Sequence, residues 1–162
     1  MNRKILITGG SGLVGSQFVG DEYIKPTSKD FNLIDSTQTN DMLLNGGINS
    51  LIHCAAKVGG LGSNMNYKGE FFYQNIMMNT NVIESARING VENLVVFLST
   101  CVFPDNVEYP LTEKKIHLGP PHFSNDAYAY SKRMADIQVR AYKEQYGLNY
   151  KCVIPTNIYG TH

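Results

Sequence analysis

The sequence predicts an α/β protein, a Rossmann-type doubly wound parallel sheet. Three features carry that expectation. Short apolar runs alternate with longer helical patterns, as βαβ units require. The runs are near-continuously apolar, which suits strands covered on both faces. A glycine-rich turn joins the first run to the segment that follows it.

Taken in order, Lys4–Thr8 (KILIT) reads as a buried strand closed by glycines. Leu13–Val19 reads as a short helix, and Glu22–Ile24 as a weak second strand ended by Pro26. Ser36–Leu44 is helical in pattern, with Asp35 placed to cap its N-terminus. Ser50–Ala56 is the third strand, and Gly69–Asn89 a long helix with Gly90 just beyond it as a stop signal. Asn93–Thr100 is the fourth strand, and Cys101–Phe123 a loop rich in proline. Asn125–Tyr146 is a second long helix that stops at Gly147, and Tyr150–Pro155 is the fifth strand. A length of 162 residues suits one domain with a sizeable core.

Fourteen Lys and Arg balance fourteen Asp and Glu, so nothing in the charge favours nucleic acid or an anionic membrane surface. No apolar run approaches the roughly 18 residues that span a bilayer. The opening Met1–Ile5 enters a strand-like run at once and lacks the pattern of a signal peptide. Cys54, Cys101 and Cys152 are too few and too scattered for a disulfide framework or a metal site. The expectation is a cytoplasmic protein that holds no metal.

The turn Thr8-Gly9-Gly10-Ser11-Gly12-Leu13-Val14-Gly15 fits both TGxxGxxG and GxGxxG. Glycines there allow a tight turn and let backbone approach a pyrophosphate, while the N-terminus of the helix expected after the turn supplies free N–H groups and a positive dipole end. A lone GxGxxG is weak evidence, but this one directly follows a strand, the context the motif demands. The plainer alternative is an ordinary glycine-rich turn. An NAD site usually places an acid about 20 residues past the motif to hold the ribose 2′-OH. The matching stretch here is Lys25-Pro26-Thr27-Ser28-Lys29, which has hydroxyls and ammonium groups and no acid. Ser28 and Lys29 therefore suit a 2′-phosphate, and the cofactor is read as NADP. The alternative is a solvated polar loop.

Tyr128-Ala129-Tyr130-Ser131-Lys132 opens the helix after the proline-rich loop. Tyr128 and Lys132 stand one turn apart on one face. An ammonium beside a phenol favours the phenolate, so Lys132 is expected to lower the Tyr128 pKa. Tyr128 then becomes a candidate acid for a carbonyl oxygen as hydride arrives. Ser99 ends the fourth strand at the carboxyl edge of the sheet, where open α/β sheets bind ligands. The order of glycine turn, strand-end serine and YxxxK makes the combination specific. The alternative is helix packing by Tyr128 with Lys132 extending to water. Cys54 and Cys152, inside apolar strands, read as small hydrophobes. Cys101 follows Ser99-Thr100 at the substrate rim, where a thiol can exchange protons with a carbon acid or simply pack. His53 reads as structural, and His117 and His122 as loop residues.

These motifs together resemble the extended short-chain dehydrogenase/reductases. Longer strings narrow the resemblance to the GDP-L-fucose synthase family: Gly9–Gly15, Ala55-Ala56-Lys57-Val58-Gly59-Gly60-Leu61, Leu98-Ser99-Thr100-Cys101-Val102-Phe103-Pro104-Asp105, Gly119-Pro120-Pro121-His122 and Ile154-Pro155-Thr156-Asn157. That family epimerises C3 and C5 of GDP-4-keto-6-deoxy-D-mannose and reduces the C4 ketone with NADPH. The resemblance implies that Ser99, Tyr128 and Lys132 are the reductase trio and that Cys101 is one of two epimerase acid/base groups. It implies that Gly9, Gly10, Ser11, Gly12, Leu13, Val14 and Gly15, with Ala55, Ala56 and Lys57, line the cofactor. Phe97, Leu98, Ser99, Thr100, Pro155, Thr156 and Asn157 would line it too, and Lys132 would also hold the nicotinamide ribose. It further implies a nucleotide-sugar substrate and a homodimer formed through the two long helices.

Residues 1–162 would then be an NADP-binding domain that ends before a sugar-nucleotide domain. Three departures stand out. The stretch from Gly15 to Ser28 is shorter than the family's usual helix and strand. Thr161 stands where the family usually has Pro. The epimerase histidine of the family lies beyond His162, which does not take that role. The rival readings are another nucleotide-sugar epimerase or dehydratase of the same superfamily, and a non-catalytic NADP-binding module.

Overall fold

The computed structural model describes residues 4–44 and 47–160. Met1–Arg3, Thr161 and His162, each of which figured in the sequence reading, lie outside them. Among the described residues five strands form one sheet in the order β2-β1-β3-β4-β5, every neighbouring pair parallel. They are β1 (Lys4–Thr8), β2 (Tyr23–Ile24), β3 (Ile48–His53), β4 (Asn93–Phe97) and β5 (Asn149–Val153). The chain steps from β1 to β2 on one side, then crosses to β3 on the other. That reversal creates the crevice in which open α/β sheets bind ligands.

The α-helices α1 (Ser36–Leu44), α2 (Leu61–Asn66), α3 (Lys68–Ile88) and α4 (Asp126–Tyr146) connect the later strands. The core joins Met42 and Leu43 of α1, Val82, Ile83 and Ala86 of α3, and Ala135 and Val139 of α4 to the alternate strand residues Leu6, Leu51, Leu94, Val96 and Tyr150. These helices thus cover one face of the sheet. Asp35 caps α1 as expected, its Oδ1 accepting from Thr37 N–H (2.9 Å) and Gln38 N–H (3.1 Å). Helix α4 ends at Gly147, whose left-handed backbone (φ 68°) closes the last turn onto the Lys143 carbonyl. Helices α3 and α4 run side by side, tied by Tyr142 Oη–H donating to Glu84 (2.7 Å). No helix among the described residues is long and apolar enough to cross a membrane.

Several boundaries differ from the sequence reading. The helix expected at Leu13–Val19 is only a 3-10 turn, Gly15–Gln17. The connection from β1 back to β2 is short, and after one turn the chain must already reverse through Gly20 and reach Tyr23. The anion-facing feature is therefore a set of backbone N–H groups with little macrodipole behind it. The third strand stops at His53, so Cys54, Ala55 and Ala56 lie past it. The fourth strand stops at Phe97, which places Ser99 and Thr100 beyond the ladder. The fifth stops at Val153, which frees Pro155. Helix α2 was not foreseen: Gly62 within it and Gly59 and Gly60 before it argue against a helix, but the buried Asn64 amide donates to the carbonyls of Gly59 (2.8 Å) and Gly60 (3.1 Å) and fixes its start.

Candidate active site and cofactor cleft

Gly9 and Gly15 have no room for a side chain. A Cβ on Gly9 (φ 71°) would lie 2.7 Å from the Ala55 nitrogen, and one on Gly15 would lie 2.3 Å from the Gly9 carbonyl oxygen. The turn folds on itself through Gly12 N–H to Gly9 C=O (3.0 Å) and Ser16 N–H to Gly12 C=O (2.9 Å). Lys25 packs its methylenes over Gly10 and donates from Nζ to the Ser16 carbonyl (3.3 Å).

Beside this turn lies a cleft of about 550 Å³. It gathers Gly9, Ser11, Gly12, Leu13, Val14 and Gly15 from the turn, Ser28 from beyond β2, and Ala55 and Ala56 from beyond β3. Neither Gly10 nor Lys29 lines it. Lys57, Phe97, Leu98, Ser99, Thr100, Lys132, Pro155, Thr156 and Asn157 also lie outside it, the last two exposed at the end of β5. The sequence reading did not foresee that Phe31, Leu33, Ile34, Met42 and Met78 form its apolar wall, or that Cys54 reaches it. Burial pushes the Cys54 thiol up to about 11, so it remains protonated near neutrality. Asp30, one residue past the stretch read for an acid, is spent locally. Its carboxylate accepts from Thr27 N–H (2.7 Å) and Thr27 Oγ1–H (2.8 Å), and the backbone bond from Thr27 holds its pKa down.

The segment after β3 is held by a residue that sequence reasoning missed. Buried Asn75 of α3 accepts from Lys57 N–H (2.9 Å) and donates to the Lys57 carbonyl (3.0 Å), acting as a strand partner made from one side chain. A second buried chain of hydrogen bonds runs beneath the cleft. Asn79 donates to the Ser131 carbonyl (3.3 Å), which leaves its Oδ1 to accept from His53 Nε2 (3.0 Å). His53 Nδ1 then accepts from the Thr8 hydroxyl (2.7 Å), and Ser131 donates to the Tyr128 carbonyl (2.6 Å). The base of the glycine turn is thereby linked through β3 and α3 to the start of α4. The signal for this was faint: polar residues inside two apolar elements.

Ser99, Cys101, Tyr128 and Lys132 come together at the carboxyl edge of β4. The Cys101 N–H donates to Ser99 Oγ (3.4 Å), which caps a 3-10 turn at Thr100–Val102. Lys132, 1% exposed, donates from Nζ to the Phe97 carbonyl (2.9 Å) and lies 5.9 Å from the Tyr128 ring centre. Burial holds its ammonium down to about 8. The expected effect of Lys132 on Tyr128 is not what dominates here. Burial pushes the phenol well above its ordinary value, and ionisation of the nearby Cys101 would push it the same way. Tyr128 is thus a protonated donor at neutral pH, the state that delivering a proton requires. Burial also raises the Cys101 thiol, against the opposing pull of a Ser99 hydrogen bond and of Lys132.

Residues 5–162 match the NAD dependent epimerase/dehydratase family. The chain is similar to GDP-L-fucose synthase of Dictyostelium discoideum, 46% identical over 99% of this chain and 53% of that protein. It is 34% identical to GDP-L-fucose synthase of Escherichia coli K12, over 99% of this chain and 52% of that one. A crystal structure of a GDP-L-fucose synthetase from Naegleria fowleri bound to NADP superposes with a TM-score of 0.88 at 43% identity, covering 99% of this chain and 55% of that one. The chain spans about half the length of the curated relatives it matches.

The buried His53 makes stability pH-dependent. Burial, then the Lys132 charge, lowers its pKa to about 3, against about 6.5 unfolded. Below pH 6.5 the unfolded chain takes up a proton that the folded chain refuses. Stability contributed by neutral His53 is therefore whole above 6.5 and is lost as pH falls toward 3, by about 1.4 kcal/mol per pH unit. Urea unfolding of the parent and His53→Gln chains between pH 7 and 5 should give a shallower acid slope in the variant by about one proton. Parallel slopes would contradict the assignment.

Proposed function

Since the chain belongs to the NAD dependent epimerase/dehydratase family, we propose that it is the cofactor-binding part of an NADPH-dependent enzyme that epimerises C3 and C5 of GDP-4-keto-6-deoxy-D-mannose and reduces its C4 ketone to give GDP-L-fucose. The observation that carries this reading is the meeting of Ser99, Cys101, Tyr128 and Lys132 at one sheet edge, next to a glycine cleft. In this reading residues 1–162 form one NADP-binding domain, and the residues that grip GDP belong to the remainder of the relatives' length.

The cleft fits a dinucleotide. Gly9, Gly12 and Gly15 line the cleft with main chain where a pyrophosphate would lie, and the apolar wall of Leu33, Ile34 and Met78 suits an adenine. Ser28 at the rim, with Lys29 beside it, would take the 2′-phosphate. Ser11, Gly12, Leu13 and Val14 would face the phosphates, with Gly10 behind them under the Lys25 methylenes. Ala55, Ala56, Lys57, the Phe97–Thr100 segment and Pro155–Asn157 would lead toward the nicotinamide, whose reduced form supplies a hydride when bound.

The chain's own residues account for the reduction and for one of the two proton-transfer groups of the epimerisation. The 4-keto group acidifies the hydrogens at C3 and C5, so a modest base such as the Cys101 thiolate suffices to move them. Each inversion takes a proton from one face and returns one to the other, so a second group must face Cys101. Tyr128 gives its phenolic proton to the ketone oxygen while Ser99 donates a hydrogen bond to it. Lys132, with its ammonium held beneath the ring, offsets the phenolate that remains. A competing reading, a non-catalytic NADP-binding module, draws on the share of the relatives' length that the chain spans.

The chain should bind NADPH at least tenfold more tightly than NADH, since one charge-assisted contact is worth roughly 1.5–3 kcal/mol. Equal affinities by fluorescence titration would overturn the NADP assignment. The proposed homodimer rests on Phe72, Tyr73, Tyr130, Met134 and Ile137, exposed apolar residues along α3 and α4. Light scattering at micromolar concentration should give twice the chain mass, and a monomer would count against it. The two chemistries separate in a protein that carries the remaining half. Cys101→Ser should stop solvent deuterium entering at one or both epimerised carbons, whereas Tyr128→Phe should stop hydride transfer and leave that exchange running. Each loss should be about 10²–10⁴-fold, and normal exchange in Cys101→Ser would return Cys101 to a packing role. Residues 1–162 alone should form no detectable GDP-L-fucose.

A further inference from the structure

Arg133 follows Lys132 in α4 and is only 4% exposed. Its Nε donates to the Val102 carbonyl (2.7 Å) and its Nη1 to the Gly119 carbonyl (2.7 Å), so the guanidinium clamps the two ends of the proline-rich loop. Its carbon centre lies 5.5 Å from the Tyr130 ring centre. Its Nη2 is buried and has no protein partner. Among the described residues no carboxylate pairs with it. A buried cation without an anion is costly unless something in the site uses the charge. The residue it grips, Val102, is bonded directly to Cys101.

We propose that Arg133 is a positioning residue for Cys101: it holds the turn that carries the thiol, and it supplies the buried positive charge that favours the thiolate. Burial sets the direction for both groups; against it, Cys101 is lowered by Ser99, Lys132, the local backbone and then Arg133, and Arg133 is raised by Tyr130 and then Cys101. The other groups that bear on the thiol are Ser99 from the end of β4 and Lys132 and Tyr128 from α4. Lys132 is engaged with the Phe97 carbonyl, whereas Arg133 still has a free donor edge. Only a guanidinium can span two carbonyls and keep a third nitrogen unspent; an ammonium offers a point charge without the fork. The inference deepens the reading of Cys101 as a proton-transfer group and rests on it.

Its test reads the thiol and needs no sugar nucleotide. The rate of iodoacetamide alkylation at Cys101 is followed by peptide mass against pH, with Cys54 as an internal control because Arg133 does not bear on it. The midpoint of the profile reports the thiolate, and the high-pH plateau reports access. In Arg133→Met the midpoint should move up by about one pH unit, so that alkylation on the acid limb slows about tenfold. Arg133→Lys should keep most of the midpoint and raise the plateau, because the charge stays and the clamp loosens. An unchanged midpoint in Arg133→Met would overturn the charge role, whatever the plateau does. Should Arg133→Met fail to fold, Cys101→Asp and Cys101→Asn are compared on a Lys132→Met background, where Arg133 is the remaining cation. The aspartate chain should then unfold at the higher temperature at pH 7, and the reverse order would overturn the proposal. A missing midpoint shift leaves the proposed reaction standing, and a missing epimerase activity leaves the shift, so the two failures are distinguishable.

Discussion

The close approach of β1 to the segment after β3 is the constraint on which the rest depends. The Gly9 backbone sits where any side chain would strike Ala55, so two strand ends meet with nothing but main chain between them. Parallel pairing from Lys4↔Ile48 to Thr8↔His53 brings them to that point. Once they meet, the glycine turn has a fixed floor, the cleft has a fixed mouth, and Thr8 lies within reach of His53. A residue larger than glycine would part the strands and undo all three at once.

From that contact, order spreads through side chains more than through backbone. His53, Asn79 and Ser131 carry it from the sheet across α3 to the start of α4, and Asn75 carries it to the Ala55–Lys57 segment. These side chains are buried within otherwise apolar packing, where an unpaired polar group is expensive. Each therefore tolerates few alternative arrangements, and the helix that presents Tyr128 and Lys132 has a defined setting relative to the turn.

Electrostatics at the sheet edge follow from burial acting on unlike groups. Desolvation favours the neutral form of every side chain, so it raises Cys101 and Tyr128 and lowers Lys132. The phenol is kept as a donor, the thiol is kept from ionising freely, and the ammonium stays charged below about pH 8. Lys132 cannot be treated as a charge aimed at Tyr128 alone, because its Nζ is bonded to the Phe97 carbonyl. Neighbouring groups move these values only after burial has set their direction.

Local pattern was enough to specify the sheet, the two long helices, the capped start of α1 at Asp35 and the glycine turn. These depend on apolar periodicity, on cap chemistry within a few residues and on glycine's lack of a Cβ, all written in adjacent positions. The gathering of Ser99, Cys101, Tyr128 and Lys132 was legible as motif order, since the carboxyl ends of parallel strands must face one edge. Tertiary structure alone decided the rest. Whether the segment after the turn becomes a helix depended on how far the chain had to travel back to β2, and only the 3-10 turn Gly15–Gln17 fitted. Helix α2 forms where a buried Asn64 reaches back to Gly59 and Gly60, against the local preference of Gly62 and the two glycines before it. The sign of the Tyr128 shift, and the placing of Arg133 across Val102 and Gly119, rest on burial and on partners distant in sequence. No spacing rule encodes those, because a charge's surroundings are set by every element that packs around it.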